Sequence, residues 1–378
     1  MMDSRAMSTV LERIPLFKPN LPCRTKLQSE LVDSIYSHPL NEGQLVYDFE
    51  AKVAEFLGVG DAVAVSSGTA ALHLALVMAD VKDGDYVIST SLTAEPTNTV
   101  IRSVGAHIIY CDLDANTGLL DLNSLKASDL KKSKAFIVVH YGGYVQNIED
   151  TINLCSKYSI KVIEDCAHAL GSEYNGKMVG TFGDYGCFSF QAIKQITTIE
   201  GGAIITKHST KLPLLRQSRW FGLQKLKSRQ KTNITFQGFK YNFNNVHAKI
   251  GLLQFAEYGA QLKKVMSIAA AYKTEISNSF SMVNVADIPN STNSNWLFLT
   301  KVQNVEHATT FFDRQEITTG RVHKLNHRHE YLKADRDLLG AETFENNLFH
   351  LPIGAWMTDG EIERVLNGIR AYRGIIHD

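Results

Sequence analysis

Short apolar runs alternate with amphipathic stretches through the first two thirds of the chain. The runs at 62–65, 86–89, 107–111, 135–140, 161–164, 186–190 and 203–206 are mostly apolar and read as buried strands. Helical segments lie between several of them. The stretch 69–79 is apolar round most of its surface, whereas 147–158 shows a one-sided stripe of Ile148, Ile152, Leu154 and Cys155. Such alternation predicts an α/β fold, a largely parallel sheet covered on both faces by helices. The runs flanking Lys194 leave room only for a loop or a short helix, so an antiparallel pair is expected there.

After about residue 250 the texture changes. A long helical pattern covers 252–280, a polar break follows at 290–295, and a mixed strand–helix section runs to the end. The stretch 358–369 reads as a terminal helix with Thr358 or Asp359 as its N-cap. A chain of 378 residues suits one large domain and one smaller domain. The expected division is 15–255 for the large domain and 256–378 for the small one.

Composition narrows the function classes. A hydrophobic share of 44% with 21% charged residues is ordinary for a globular enzyme. Lys+Arg and Asp+Glu number 39 each, so no net field draws the chain onto nucleic acid or an anionic membrane. Cysteines 23, 111, 155, 166 and 187 form no CxxC pair, which points to reduced thiols and away from a disulfide frame or a zinc site. The start of the chain lacks the apolar stretch of a signal peptide, and no apolar run approaches membrane-spanning length. The expected compartment is the cytoplasm.

Three segments carry candidate chemistry. Ser66-Ser67-Gly68-Thr69-Ala70-Ala71 follows a strand and opens a helix, where free N–H groups and the helix dipole converge into a phosphate cradle. Val162-Ile163-Glu164-Asp165-Cys166-Ala167-His168 sets Asp165 at the carboxyl end of a buried strand, the usual ligand edge of an open α/β sheet. A carboxylate there suits a protonated ring nitrogen, and His168 is placed for a ring oxygen. Phe188-Ser189-Phe190-Gln191-Ala192-Ile193-Lys194 ends on a lysine in an apolar link, followed by Glu200-Gly201-Gly202. Desolvation lowers the pKa of such an amine and suits it to Schiff-base chemistry. Taken singly, each has an ordinary reading: a helix cap, a strand-end turn, a core histidine, a snorkelling lysine. Together they describe one site.

The combination Ser-Gly-Thr-Ala-Ala-Leu, Glu-Asp-Cys-Ala-His-Ala, Phe-Ser-Phe-x-x-x-Lys and Glu-Gly-Gly resembles the DegT/StrS-type sugar aminotransferases, fold-type-I enzymes that use pyridoxal 5'-phosphate (PLP). The likeness continues through Gly238-Phe239-Lys240-Tyr241-Asn242 and Leu351-Pro352-Ile353 to Met357-Thr358, so it spans nearly the whole chain. It implies a mostly parallel seven-stranded sheet and a smaller C-terminal α+β domain. Lys194 would be the Schiff-base lysine and proton shuttle, and Asp165 the partner of the pyridine nitrogen. Ala167 would pack on one ring face, and His168 would sit near the ring hydroxyl. Ser67, Gly68, Thr69 and Ser189 would hold the phosphate. Asn242 would reach the phosphate of a neighbouring subunit, making the enzyme a homodimer with shared sites. The sequence departs from the family after Thr93, where Ala94 stands in place of the usual ring-stacking aromatic and Glu95 follows.

The resemblance implies transfer of an amino group from L-glutamate to a keto-sugar, most simply a nucleotide-linked one, for surface polysaccharide or aminosugar synthesis. A free keto-sugar acid as acceptor, a PLP-dependent sugar dehydratase and a non-catalytic regulator are the competing readings; Lys194 counts against the last two. Glu95, Arg321 and His323 are candidate substrate contacts. His323, His327 and His329 match no strong metal-ligand spacing, and no metal is expected. Trp220-Phe221-Gly222 reads as a loop beside the same pocket or as a buried aromatic corner.

Overall fold

A computed structural model describes residues 12–37, 39–225 and 228–373. The opening residues, on which the signal-peptide reading fell, lie outside that range. Seven strands build the main sheet: β1 (Val63–Val65), β2 (Tyr86–Thr90), β3 (His107–Cys111), β4 (Ser133–Val139), β5 (Lys161–Asp165), β6 (Tyr185–Ser189) and β7 (Gly202–Thr206). They lie in the order β1-β7-β6-β5-β4-β2-β3. The strands from β6 to β3 run parallel, and β7 runs against both its neighbours. The link between β6 and β7 carries no crossover helix, and without one only an antiparallel return is available.

Strands β1, β2, β4, β5 and β6 all end at one edge, and their last residues lead into the candidate segments. The Gly68–Met78 helix is buried nearly throughout, which explains its lack of a polar stripe: it is covered by strands β6 and β7 on one side and by other helices on the other. A second apolar layer, including Phe49, Phe190 and Phe243, fills the opposite face of the sheet.

The long helix begins earlier than its apolar stripe suggests, at Asn245 rather than 252, and runs to Ser277. Asn244 sets that start, because its Oδ1 accepts from the His247 N–H at 2.9 Å. The helix crosses the expected division at 255: Phe255 and Tyr258 pack with the large sheet's core, and Ile268 to Ile276 pack with the C-terminal core. That second core is built on strands Met282–Asn284, Phe298–Val302 and Leu348–Leu351, all antiparallel. Thr358 caps the Asp359–Ala371 helix, its Oγ1 accepting from the Glu361 N–H at 3.2 Å while Glu361 accepts the Thr358 N–H at 2.7 Å. No described helix is long and apolar enough to cross a membrane.

The polar break at 290–295 does more than separate two patterns. Ser291–Thr292 pairs with Glu173–Tyr174 of the large sheet's flank, and Ser294 and Ser172 share hydrogen bonds. The turn that follows brings Trp296 to the loop between β6 and β7.

Candidate active site

The carboxyl edge of the sheet opens into a cavity of about 320 Å³, lined by Ser67, Gly68, Thr69, Asp165, Ser189 and Lys194 among others. That size is typical of small-molecule sites. Ser67 caps the Gly68–Met78 helix by accepting the Ala70 N–H at 3.0 Å, so the free N–H groups of the first turn face the cavity. Two glycines hold this cradle shut against side chains. A Cβ on Gly68 would lie 2.8 Å from Ser189 Cβ, and one on Gly202 would lie 2.4 Å from the Ser67 carbonyl carbon.

Asp165 ends β5 and is buried. It accepts from Thr97 Oγ1 at 2.7 Å and from the Ala167 N–H at 3.1 Å. Burial pushes its carboxyl above the usual range, against those two hydrogen bonds and the nearby Lys194 charge. Part of the Lys194 side chain borders the cavity, yet its amine is packed among protein atoms. Burial draws that amine down to about 7, with the Asp165 charge opposing. Lys194 Nζ lies 3.8 Å from the centre of the Trp296 ring, and the indole N–H donates to the Ile193 carbonyl at 2.8 Å.

His168 lies flat against Trp296, with ring centres 3.9 Å apart and planes at 21°. Its Nδ1 accepts the Gly142 N–H at 3.3 Å, and its buried Nε2 has no partner among the described residues. Burial, then the Lys194 charge, hold it well below its ordinary value, so it is a neutral imidazole with a free N–H. Ala94 and Glu95 line the wall where a larger ring-stacking residue was looked for. His323 enters from the C-terminal part, its Nδ1 3.6 Å from Glu95, and His329 lies 3.7 Å from the same carboxylate.

Two expected residues are not brought to this cavity within the chain. The Arg321 guanidinium is taken by Glu345 at 3.1 Å and by the Asn346 carbonyl at 2.9 Å. Asn242 forms a bridge to Val65 beside the cradle, but its side chain reaches only the Phe243 carbonyl, at 3.5 Å. Trp220 packs under Lys240, 4.2 Å from its amine, and does not line the cavity either. His327 is engaged by Ser91 and Glu342, so the three histidines do not converge on one point.

The sequence offered no signal for Trp296, and none for Thr97 as the holder of Asp165 or Glu200 as a cavity wall. Among the described residues one cluster has metal-like composition, His140, Glu164 and Cys166. Glu164 there already accepts three backbone N–H groups, from Gly180, Phe182 and Gly183, besides the His140 ring. Its lone pairs are spent on shaping the turn that leads into β6.

A basic amine in a dry pocket, a buried carboxylate beside it and a helix-end anion cradle are the donor set that PLP requires. The model of the DegT/DnrJ/EryC1/StrS aminotransferase family matches residues 23–370. The chain belongs to that family. GDP-perosamine synthase of Escherichia coli O157:H7 is 35% identical over 269 residues, 71% of this chain and 72% of that one. UDP-4-amino-4,6-dideoxy-N-acetyl-beta-L-altrosamine transaminase of Campylobacter jejuni is 32% identical over 69% of this chain and 70% of that one. The solved structure of the sugar aminotransferase CalS13 from Micromonospora echinospora superposes with a TM-score of 0.89 at 27% identity, covering 95% of this chain and 99% of that one. This family member is therefore a PLP-dependent aminotransferase with the fold-type-I architecture.

Proposed function

We propose that the enzyme transfers an amino group from L-glutamate to a nucleotide-linked keto-sugar, in the cytoplasm, for surface polysaccharide or aminosugar synthesis. The observation that carries this is Lys194, a half-neutral amine held beside Asp165 at the sheet edge, in a chain whose relatives are named for nucleotide-sugar products. PLP, when bound, supplies an electron sink that makes a carbon–hydrogen bond next to nitrogen acidic.

The chain's own groups have separable tasks in this reading. The first turn of the Gly68–Met78 helix, Thr69 and Ser189 would hold the phosphate. Asp165, kept in place by Thr97, would pair with the ring nitrogen, Ala167 would support one ring face, and the free His168 N–H would donate to the ring hydroxyl. Lys194 Nζ would carry the proton between substrate and cofactor carbons, a task for which a pKa near neutrality suits an amine. Lining residues on one chain include the carboxylates Glu95, Asp165 and Glu200, so the carboxylates of glutamate need further cations. A second subunit would bring Asn242 to the phosphate and can add such cations, and a homodimer with shared sites belongs to the proposal. So does the division into a cofactor-bearing domain, 15–255, and a smaller one, 256–378.

The test is the absorption spectrum of the purified protein with PLP. A yellow Schiff-base band that bleaches with L-glutamate and returns with a keto-sugar is the expected result, and Lys194→Ala should lose both changes. A band indifferent to glutamate would refute the donor, and no band at all would refute the reading.

A further inference from the structure

The loop that carries Lys194 is fastened, on both sides of that residue, to one short segment of the C-terminal part. The Trp296 indole N–H donates to the Ile193 carbonyl at 2.8 Å. The Gln195 amide donates to Ser294 Oγ at 3.2 Å and to the His168 carbonyl at 2.6 Å. Ser294 is itself held, its N–H donating to Ser172 Oγ at 3.0 Å. Between these ties the left-handed Asn295, φ 50°, turns the chain so that the buried Trp296 meets the amine.

The backbone ties leave the stem of Lys194 free to rotate, because a lysine side chain is flexible along its length. What meets its end is a ring face: Nζ lies 3.8 Å from the Trp296 centre, while Asp165 acts on it by charge without a hydrogen bond. The same indole stacks with His168 at 3.9 Å and with Phe17 at 4.9 Å, the planes within 21° and 22° of parallel. These stacks fix the ring plane. A tryptophan needed only to fill a core would be met by apolar groups throughout.

We propose that Trp296 is a positioning residue, the rest on which the Lys194 amine waits whenever it is not bonded to the cofactor. The inference rests on Lys194 as the Schiff-base lysine and proton carrier. In that role the neutral amine takes a proton from the substrate carbon and the C–H electron pair passes to the cofactor. The ammonium so formed then gives the proton up to the cofactor carbon. An indole face attracts an ammonium but offers it no lone pair in the ring plane, so it steadies the charged form without binding the proton that must move. A carboxylate hydrogen-bonded in that place would hold the proton on the amine.

Trp296→Phe keeps a ring face and loses the bond to Ile193. Trp296→Leu and Trp296→Met lose both, methionine being the more adaptable filler should the leucine variant fail to fold. In the cofactor-free protein, the midpoint pH for acetylation of Lys194 should fall in the leucine and methionine variants and stay near the wild-type value in Trp296→Phe. In the loaded protein, bleaching of the yellow band by L-glutamate should slow about tenfold in the variants without a ring and about threefold or less in Trp296→Phe. The slowed variants should also show a larger isotope effect with glutamate deuterated at its α-carbon, since proton transfer is the step that loses its support. Equal behaviour of Trp296→Phe and the ringless variants, or an isotope effect that stays at its wild-type value, would make Trp296 a packing residue and overturn the proposal. The acetylation arm needs neither cofactor nor donor, so it decides the matter even if glutamate fails as the donor. A wild-type protein that forms no yellow band would remove the role of Lys194 and the rest with it.

Discussion

Acetic anhydride labels only neutral amines, so its reaction with the cofactor-free protein reads the protonation state of each lysine as pH is raised. An exposed lysine with a pKa near 10.5 is about one part in a thousand neutral at pH 7.5. Lys194, drawn down to about 7 by burial, is about three quarters neutral at the same pH. The difference in reactive fraction is several hundredfold, roughly 4 kcal/mol. The exposed lysines of the same digest serve as the internal reference.

The sign follows from which form is disfavoured. Desolvation penalises the ammonium, so the neutral form dominates above about pH 7 and the charged form below it. Labelling of Lys194, followed by mass spectrometry, should rise to about pH 8 and then level off, while an ordinary exposed lysine climbs about tenfold per pH unit. The Asp165 charge opposes the downward shift, and the Trp296 ring beneath the amine favours the cation as well. Asp165→Asn and Trp296→Leu should therefore each move the midpoint lower. A Lys194 curve parallel to those of the exposed lysines through pH 9 would refute the reasoning.

Three other expectations follow from particular contacts. Gly68→Ala would drive a Cβ to within 2.8 Å of Ser189 Cβ and should weaken PLP binding by about tenfold or more; equilibrium dialysis that finds unchanged affinity would count against the cradle. Arg219 is buried between Glu42 at 2.8 Å and Glu50 at 2.5 Å; Arg219→Ala removes the buried partner of both, leaving Glu42 only Lys225 as cation and Glu50 only Arg216, each at 3.2 Å, and should cost about 3 kcal/mol in urea unfolding, with a loss under 1 kcal/mol disproving the role. Ile199 is a half-exposed β-branched residue at φ 71°; relief of about 1–2 kcal/mol of strain, less about 0.5–1 kcal/mol of glycine entropy, makes Ile199→Gly a stabilising change, and a lower unfolding midpoint would contradict it.

Much of the site was legible in the chain because local rules decide it. Strands buried on both faces read as continuous apolar runs, and all seven appear within a few residues of their expected places. Each parallel strand must end at the ligand edge, so Ser67, Asp165 and Ser189 were bound to meet once the sheet was parallel. Lys194 stood out because a lysine in an apolar link has no cheap reason to be there. Cap chemistry was local too: Thr358 and Glu361 close their box within four residues.

What tertiary structure alone decided involves partners far apart in sequence. Trp296 reaches Lys194 because a two-residue strand pairs with Glu173–Tyr174 and a left-handed Asn295 turns the chain; no periodicity encodes such a contact. Thr97 became the support of Asp165 only when β2 and β5 were placed in one sheet. Arg321 was drawn from the cavity by Glu345, a buried carboxylate that also takes Arg328, since an unpaired buried charge costs more than a distant ligand contact returns. The sequence by itself determined the strands, the cradle, the carboxylate and the amine, each through forces acting within a few residues. Packing determined which side chains surround that amine, and so its pKa, because burial and proximity exist only once distant segments share a core.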